Sequence, residues 1–189
     1  LGTHQTEDSI IWSPDKDLRQ IAGLHLDVAT LKVIKISENG SLQKIIGDLK
    51  ADGKRKATKY YFDGLIGLYF QMLTGDSTDW IVGCGTRQMV KIKSGPNKGQ
   101  MKEKRVGVGP LDAYNLLLKG NIKDALNTVC AEYYKLHGAA KWQKELETQA
   151  NLLFMVREQE GEVIKRWTYD DRDEYFDLTS GVILNDATP

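Results

Sequence analysis

The 189-residue chain has only two cysteines, three histidines and four prolines. Cys84 and Cys130 lie far apart, with no Cys-x-x-Cys or Cys/His spacing, so we expect free thiols in a reducing compartment and no zinc site. A transmembrane helix needs about 20 mostly apolar residues, and the sequence has no such run, so no membrane segment is expected. The first residues, LGTHQTEDS, show no signal-peptide pattern.

Charge is balanced in total but uneven along the chain. There are 26 basic and 26 acidic residues, and a net charge of zero by itself argues against a nucleic-acid ligand. Basic residues nevertheless cluster in segments 50–59 and 87–105, whereas acids gather near the C-terminus in YDDRDEYFD. This separation predicts one surface that faces a polyanion. Ordinary solvated surfaces remain the alternative.

The first third of the chain has the pattern of an α/β layer. DSIIW is a short apolar run typical of a buried strand, and Ser13-Pro14 after it is typical of a helix start. Strand, turn and helix in this order form the unit of an α/β layer. LKVIKISENGSLQKII is predicted to form a hairpin through Asn39-Gly40.

The remainder is predicted to be mainly helical. YYFDGLIGLYFQML predicts a helix over 60–73, and RQMVKIKSGPNKGQMKEKRV predicts a hairpin over 87–106 because its apolar and basic residues alternate around a Gly-Pro turn. Three further helical patterns begin at Pro110. They end at the glycines expected after a helix C-terminus: Gly120, Gly138 and Gly161.

Two pairs of acids are the main candidates for chemistry. Asp15 and Asp17 follow the first strand, where ligands bind in open α/β sheets. Asp76 and Asp79 are three residues apart, which places them on one face of a helix or its terminus. Carboxylates of this kind hold Mg²⁺, and two such ions can hydrolyse a phosphodiester. The structural alternative for Asp15 and Asp17 is an interaction with the positive end of a helix dipole. The alternative for the other pair is that Asp76 is a helix cap and Asp79 lies in the first turn of the next helix.

Two glycines suggest contact with phosphates. In RVGVGPLDAYNLLL, Gly107 and Gly109 precede a helix that starts at Pro110. Glycines at this position let backbone N–H groups approach a phosphate. A dinucleotide fingerprint is excluded because a third glycine and a βαβ pattern are lacking, and Gly-Lys-Ser/Thr is absent. A plain turn is the alternative, and contact with a nucleic-acid backbone is the better functional interpretation.

Together these segments resemble a known family. SPDKDLRQI resembles the Asp-x-Asp motif of the 5′→3′ exonuclease and flap endonuclease superfamily, and GDSTDWIVG is similar to its Gly-Asp-x-x-Asp-Asn-Ile-x-Gly motif. VGVGP resembles the Gly-Ile-Gly-Pro of its helix-three-turn-helix DNA-binding element. SGPNKGQ and NLLFMVREQEGE are similar to segments of the small bacteriophage exonucleases. The resemblance covers roughly residues 9–160.

The resemblance implies an α/β fold with three parts. Residues 1–59 would be the C-terminal part of a Rossmann-like (PIN/FEN-like) α/β nuclease layer. Residues 60–161 would be a helical DNA-binding region with the helix-three-turn-helix element and the basic hairpin 87–106, followed by an acidic tail over 162–189. The implied location is the cytoplasm of a host cell that carries a bacteriophage.

The resemblance also implies an activity and its residues. The chain would be a metal-dependent 5′→3′ exonuclease or flap endonuclease with two Mg²⁺ or Mn²⁺ ions. Its metal-binding and catalytic residues would be Asp15, Asp17, Asp76 and Asp79. Gly83, Gly107 and Gly109 would grip duplex DNA, and backbone carbonyls of the same element would hold K⁺.

The sequence departs from the family pattern at three places. Trp80 stands where the family has Asn, and a basic hairpin separates Gly83 from Gly107. We predict that this hairpin extends the phosphate-contacting surface through Lys91, Lys93, Lys98, Lys102, Lys104 and Arg105. The family's other acids have no counterpart before Asp15, so a separate N-terminal nuclease segment is an expected partner.

Three functions therefore stay open. The first is the metal-dependent nuclease. The second is a non-catalytic DNA-binding module, or a half-chain that needs an N-terminal partner. The third is a phosphatase or nucleotide-binding α/β protein that uses Asp15 and Asp17, which would leave VGVGP and the basic hairpin unexplained.

Overall fold

A computed structural model describes residues 4–48, 56–171, 174–180 and 183–185. Within these ranges the chain forms four α-helices and four small sheets, which confirms the mixed α/β class. The helices are α1 Gly64–Thr74, α2 Pro110–Leu117, α3 Ile122–His137 and α4 Trp142–Leu153. The strands are β1 Ile10–Trp12, β2 Gly23–Asp27, β3 Lys32–Ile36, β4 Leu42–Ile45, β5 Lys59–Phe62, β6 Gly85–Lys91, β7 Met101–Gly107, β8 Gln159–Glu160, β9 Val163–Lys165, β10 Glu174–Asp177 and β11 Ile183–Asn185.

Helix α1 lies at the centre of the hydrophobic core. It is apolar around most of its circumference, and Leu68, Met72 and Leu73 are fully buried. The other three helices pack on it, each through a narrower apolar stripe. Tyr133 of α3 is also fully buried, and its hydroxyl donates a hydrogen bond to the Met72 carbonyl over 2.8 Å. The helix that precedes the Asp76–Asp79 segment is therefore firmly anchored.

Helix α3 shows why some helix ends were predictable. Its N-cap is Asn121, which forms a reciprocal capping box with Asp124, and it ends at Gly138 with a φ of 73°. The prediction of a helix end at Gly138 is confirmed. The prediction that the next helix continues to Gly161 is wrong, because α4 ends at Leu153 and Gly161 turns the chain between β8 and β9.

Two other expectations about local structure are wrong, and a third is confirmed only in part. Strands β3 and β4 do not pair with each other, since β3 pairs with β2 and β4 pairs with β5. Residues 59–62 form strand β5, so the helix predicted from residue 60 begins only at Gly64. The short helix predicted after DSIIW is present as a 3₁₀ helix over Lys16–Gln20, but its N-cap is Asp15 and not Ser13.

The sheet β1-β2-β3 is covered on one face only. Strands β1 and β2 are parallel, and the inner face buries Ile11, His25 and Ile36. The opposite face carries Ile10, Trp12 and Val33, which are 50%, 73% and 52% exposed. We call this the outer sheet face. Parallel strands are normally covered on both sides, so an exposed apolar face of this kind is unusual.

The predicted hairpin over 87–106 is confirmed as β6 and β7, which pair antiparallel from Gly85 and Gly107 to Lys91 and Met101. Strands β8 to β11 form a four-stranded antiparallel sheet near the C-terminus, and Trp167 beside it is buried in the core. Cys84 and Cys130 are free thiols, as expected. None of the helices in the described part of the chain has the length and the apolar composition that a membrane span requires.

Candidate metal centre and basic hairpin

Three of the four predicted acids meet at one place. One carboxylate oxygen from each of Asp17, Asp76 and Asp79 lies within 4.8 Å of the others. Asp17 comes from the 3₁₀ helix, whereas Asp76 and Asp79 come from the segment after α1. Asp76 is buried, Asp17 is half-buried and Asp79 is exposed. The carboxylate group is therefore buried on the side of Asp76 and accessible to solvent on the side of Asp79.

The Asp76–Asp79 segment is a closed loop and not the helix terminus that the spacing predicted. Asp76 and Ile81 form a two-way backbone bridge, with N···O distances of 3.0 and 2.8 Å. The Asp76 carboxylate accepts a hydrogen bond from the Thr78 N–H over 2.7 Å. The turn over residues 77–80, and not a shared helix face, brings Asp79 towards Asp76.

Glycines fix the ends of this loop. Gly75 and Gly83 have φ angles of 71° and 57°, which disfavour any residue with a Cβ. A Cβ on Gly83 would also lie 2.5 Å from the backbone nitrogen of Gly75. The Gly83 N–H donates to the Gln149 side chain over 3.0 Å. These contacts give Gly83 a role in closing the loop, and its predicted role in DNA binding stays a prediction.

A chain of buried amides supports Asp17. The Gln71 side chain of α1 donates to the Asp17 carboxylate over 2.7 Å and accepts from Gln20, also over 2.7 Å. Gln20 is 1% exposed and donates as well to the Leu153 carbonyl. Burial raises the pKa of Asp17 above its ordinary value, and the Gln71 hydrogen bond opposes this.

Lys16 places a positive charge directly on the acidic group. Its ammonium lies 2.7 Å from the Asp76 carboxylate, and the side chains of Lys16 and Asp76 are 57% and 3% exposed. Burial alone would raise the pKa of Asp76, but hydrogen bonds from Lys16 and the Thr78 N–H outweigh it and lower that pKa. Asp76 also raises the pKa of Lys16, against the effect of burial.

Asp15 is the fourth predicted ligand, and it does not belong to this group. Its carboxylate accepts a hydrogen bond from the Asp17 N–H over 3.0 Å and thereby caps the 3₁₀ helix. Asp15 is thus a helix cap in the structure, whereas the alternative left open by the sequence was an interaction with the helix dipole.

The donor set fits a hard divalent cation. Mg²⁺ and Mn²⁺ prefer carboxylate oxygens and keep several waters, so three carboxylates can hold one ion. Asp17, Asp76 and Asp79 would be its ligands. Among the residues that the structure describes, no other group of three such side chains comes together.

The basic hairpin exposes all five predicted lysines, but they do not share one surface. In strands, side chains alternate between two faces. Arg87, Lys91 and Arg105 lie on one face, which we call the loop face because Arg87 and Arg105 bond to carbonyls of the 76–82 loop. Lys102 and Lys104 lie on the opposite back face.

Arg105 is committed to the fold. Its guanidinium donates to four backbone carbonyls, at distances of 2.6 to 3.3 Å. These carbonyls belong to Leu73, Val82, Cys84 and Val108. The predicted DNA contact of Arg105 would compete with these bonds. The resemblance implies a K⁺ ion held by backbone carbonyls of this element. In the structure, the guanidinium of Arg105 occupies a cluster of such carbonyls.

Gly107 and Gly109, the two glycines before α2, differ in whether the space around them could accommodate a side chain. A Cβ on Gly107 would collide with the Cys84 carbonyl and with Gly85 on the paired strand. Gly109 is the N-cap of α2 with a φ of −85°, and a Cβ there would meet only the Asp112 side chain at 3.7 Å. Gly107 thus has a packing role, whereas packing does not require glycine at position 109.

Sequence reasoning missed Lys16, Gln20 and Gln71, which surround the acids. Gln71 had a usable signal, because it is the single amide in the apolar stretch GLIGLYFQML. Lys16 lies between two predicted ligands, but its bond to Asp76 joins residues 60 positions apart.

A comparison with known proteins finds no matching family model, no matching curated protein and no matching solved structure.

Proposed function

We propose that this chain is a divalent-metal-dependent nuclease that hydrolyses DNA phosphodiesters, of the 5′→3′ exonuclease and flap endonuclease type. The observation that carries the proposal is the convergence of Asp17, Asp76 and Asp79 next to an exposed basic hairpin. The Rossmann-like layer and the cytoplasmic location are part of the same proposal. Strand β1, which pairs in parallel with β2, supports the proposal because the chain passes from its end directly into the segment that carries Asp15 and Asp17.

The chain's own residues prepare the site for an ion and a phosphate. An Mg²⁺ or Mn²⁺ ion would lower the pKa of a bound water and stabilise the leaving oxygen. Gln71 orients Asp17, and the Asp76–Ile81 bridge with the Thr78 N–H fixes Asp76. Because these contacts exist before any ligand binds, the carboxylates are already oriented, and the main change on ion binding would be the displacement of Lys16 from Asp76.

One observation favours the half-chain variant of this proposal. The described acids supply three carboxylates, and the outer sheet face exposes Ile10, Trp12 and Val33 on a sheet that contains parallel strands. A separate nuclease segment that covers this face would complete the α/β layer and bring further acids. In that case the chain alone binds DNA and one ion but does not cleave.

The test uses a 5′-end-labelled duplex with a short flap in Mg²⁺ or Mn²⁺, together with Mn²⁺ binding followed by electron paramagnetic resonance. We expect the wild type to bind Mn²⁺, and the double variant Asp76→Asn, Asp79→Asn to lose both binding and any cleavage. Asp112→Asn, an exposed acid in the first turn of α2, is the control. Binding of Mn²⁺ and DNA without cleavage would identify the half-chain. Mn²⁺ binding unchanged in the double variant would contradict the proposal.

The two hairpin faces give a second test. Lys102 on the back face pairs with Val90, and Val90 directly precedes Lys91 on the loop face. Lys91 and Lys102 therefore lie at nearly the same position along the hairpin but on opposite faces. If DNA lies along the loop face, Lys91→Glu should reduce the slope of log affinity against log salt by about 1, since each neutralised phosphate contributes about 0.9. Lys102→Glu has the same charge change and should alter the slope less. Equal effects of the two substitutions would contradict binding on one face.

A further inference from the structure

Trp80 combines high exposure with an unfavourable backbone conformation. Its side chain is 70% exposed, and its φ is 62°. Among the described non-glycine residues, only Leu31 and Asp171 share a positive φ. Asn and Gly adopt this left-handed region more readily than a bulky residue does. Neither burial nor backbone preference therefore explains a tryptophan at this position.

The indole ring is held in place from the hairpin. The Arg87 guanidinium lies 4.5 Å from the ring centroid and donates to the Trp80 carbonyl over 3.0 Å. Arg87 also pairs with Glu103 on the neighbouring strand, with an N···O distance of 3.4 Å. A cation over an aromatic face is attracted to it and orients it. The ring is thus positioned at the surface, and its high exposure leaves the other face accessible.

The position of Trp80 relates it to the candidate metal centre. It directly follows Asp79 in the loop that the Asp76–Ile81 bridge closes, and Arg87 connects it to the loop face of the hairpin. An aromatic ring beside phosphate-binding groups is the usual arrangement for stacking a base of a single strand. We propose that Trp80 is a stacking platform for a nucleobase of the strand whose phosphate would approach an ion held by Asp17, Asp76 and Asp79. This proposal rests on the proposed function.

Trp12 provides a matched comparison within the same chain. It is 73% exposed, which is close to the exposure of Trp80. However, it lies on the outer sheet face, which also carries Ile10 on the same strand and Val33 two strands away. That environment suits a protein contact and not a nucleobase. Replacing Trp12 removes an equally exposed indole without touching the loop.

The experiment compares two 5′-overhang oligonucleotides by fluorescence anisotropy in Ca²⁺, without Mg²⁺ or Mn²⁺, so that an oxygen-binding divalent ion can occupy the carboxylates. One has normal bases, and the other has abasic residues in the overhang, so that phosphates remain and stacking is lost. We expect Trp80→Asn to weaken binding of the normal oligonucleotide about tenfold and to leave binding of the abasic one within about twofold. Trp80→Phe should retain most of the affinity, and Trp12→Asn should change neither. Trp80→Asn should melt no lower than the wild type, because Asn tolerates the backbone conformation.

Other outcomes separate this inference from the proposed function. An equal loss for both oligonucleotides, or no loss for either, would overturn base stacking and leave the nuclease proposal intact. A change in self-association of the Trp80→Asn variant with unchanged DNA affinity would assign the ring to a protein contact instead. A wild-type chain that binds neither oligonucleotide would overturn the proposed function as well.

Discussion

Arg105→Met should lower the free energy of unfolding by about 3–5 kcal/mol, because it removes a half-buried guanidinium that donates to four backbone carbonyls, of which only that of Cys84 keeps another described donor, the Val108 N–H. Those carbonyls come from the end of α1, from the loop after it and from the segment before α2. One side chain thereby joins the hairpin to the central helix. The loss would be a large fraction of the 5–15 kcal/mol typical of a domain.

Urea denaturation of the variant and the wild type measures this change directly. Lys104→Met is the matched control, since Lys104 is the exposed neighbour on the same strand and the same kind of substitution there should change stability by less than about 0.5 kcal/mol. The alternative is a direct contact between Arg105 and DNA. An Arg105→Met variant that keeps its stability and loses DNA affinity would support that contact and contradict the structural role.

Lys16→Met should have opposite effects on stability and on ion affinity. Without ions the variant should melt at a lower temperature, because the buried Asp76 carboxylate loses its cationic partner. Added Mn²⁺ should stabilise the variant more than the wild type, since the ammonium no longer competes for the same carboxylate. We expect the Mn²⁺ dissociation constant to fall about tenfold, which corresponds to about 1.4 kcal/mol.

Thermal melting with and without Mn²⁺, combined with titration by electron paramagnetic resonance, measures both effects. Lys16→Arg retains the charge and should behave like the wild type. Lys91→Met removes an exposed charge from the hairpin and should leave ion affinity unchanged. If Lys16→Met bound Mn²⁺ no more tightly than the wild type did, Lys16 would be a structural partner of Asp76 and not a competitor for the ion.

The parts of the fold that were predictable depend on local interactions. The hairpin β6-β7 could be predicted because its alternation and its Gly-Pro turn lie within one short segment. The end of α3 was predictable because the left-handed glycine at position 138 immediately follows its last turn. In both cases the residues that determine the structure are neighbours in the sequence.

The wrong predictions involve partners that are distant in sequence. Residues 60–62 continue the apolar run of α1, and only their pairing with β4 makes them a strand. The rings of Tyr60 and Phe62 then pack against Phe70 of α1. Gly161 carries the same local signal as Gly138, but it lies in a strand turn whose pairing joins β8 to β9. No local pattern distinguishes these alternatives.

The candidate site was predictable in its residue types but not in its geometry. Three of the four acids come together, while Asp15 turns its carboxylate to the Asp17 N–H because a free helix N-terminus lies within reach. The bond between Lys16 and Asp76 depends on how the 3₁₀ helix packs against α1. Such packing of separate elements has no signature in the sequence.

The contact between Gly75 and Gly83 makes the intervening loop a separable unit. Its ends are joined by backbone bonds between Asp76 and Ile81 and are fixed by glycines on both sides, and none of these end contacts uses a side chain from positions 77–80. Variation in these four residues can therefore change what the loop binds while the core stays intact. In natural or engineered variants, residues 77–80 can therefore be replaced as a set, whereas an additional residue in this loop would disrupt the backbone bridge between Asp76 and Ile81.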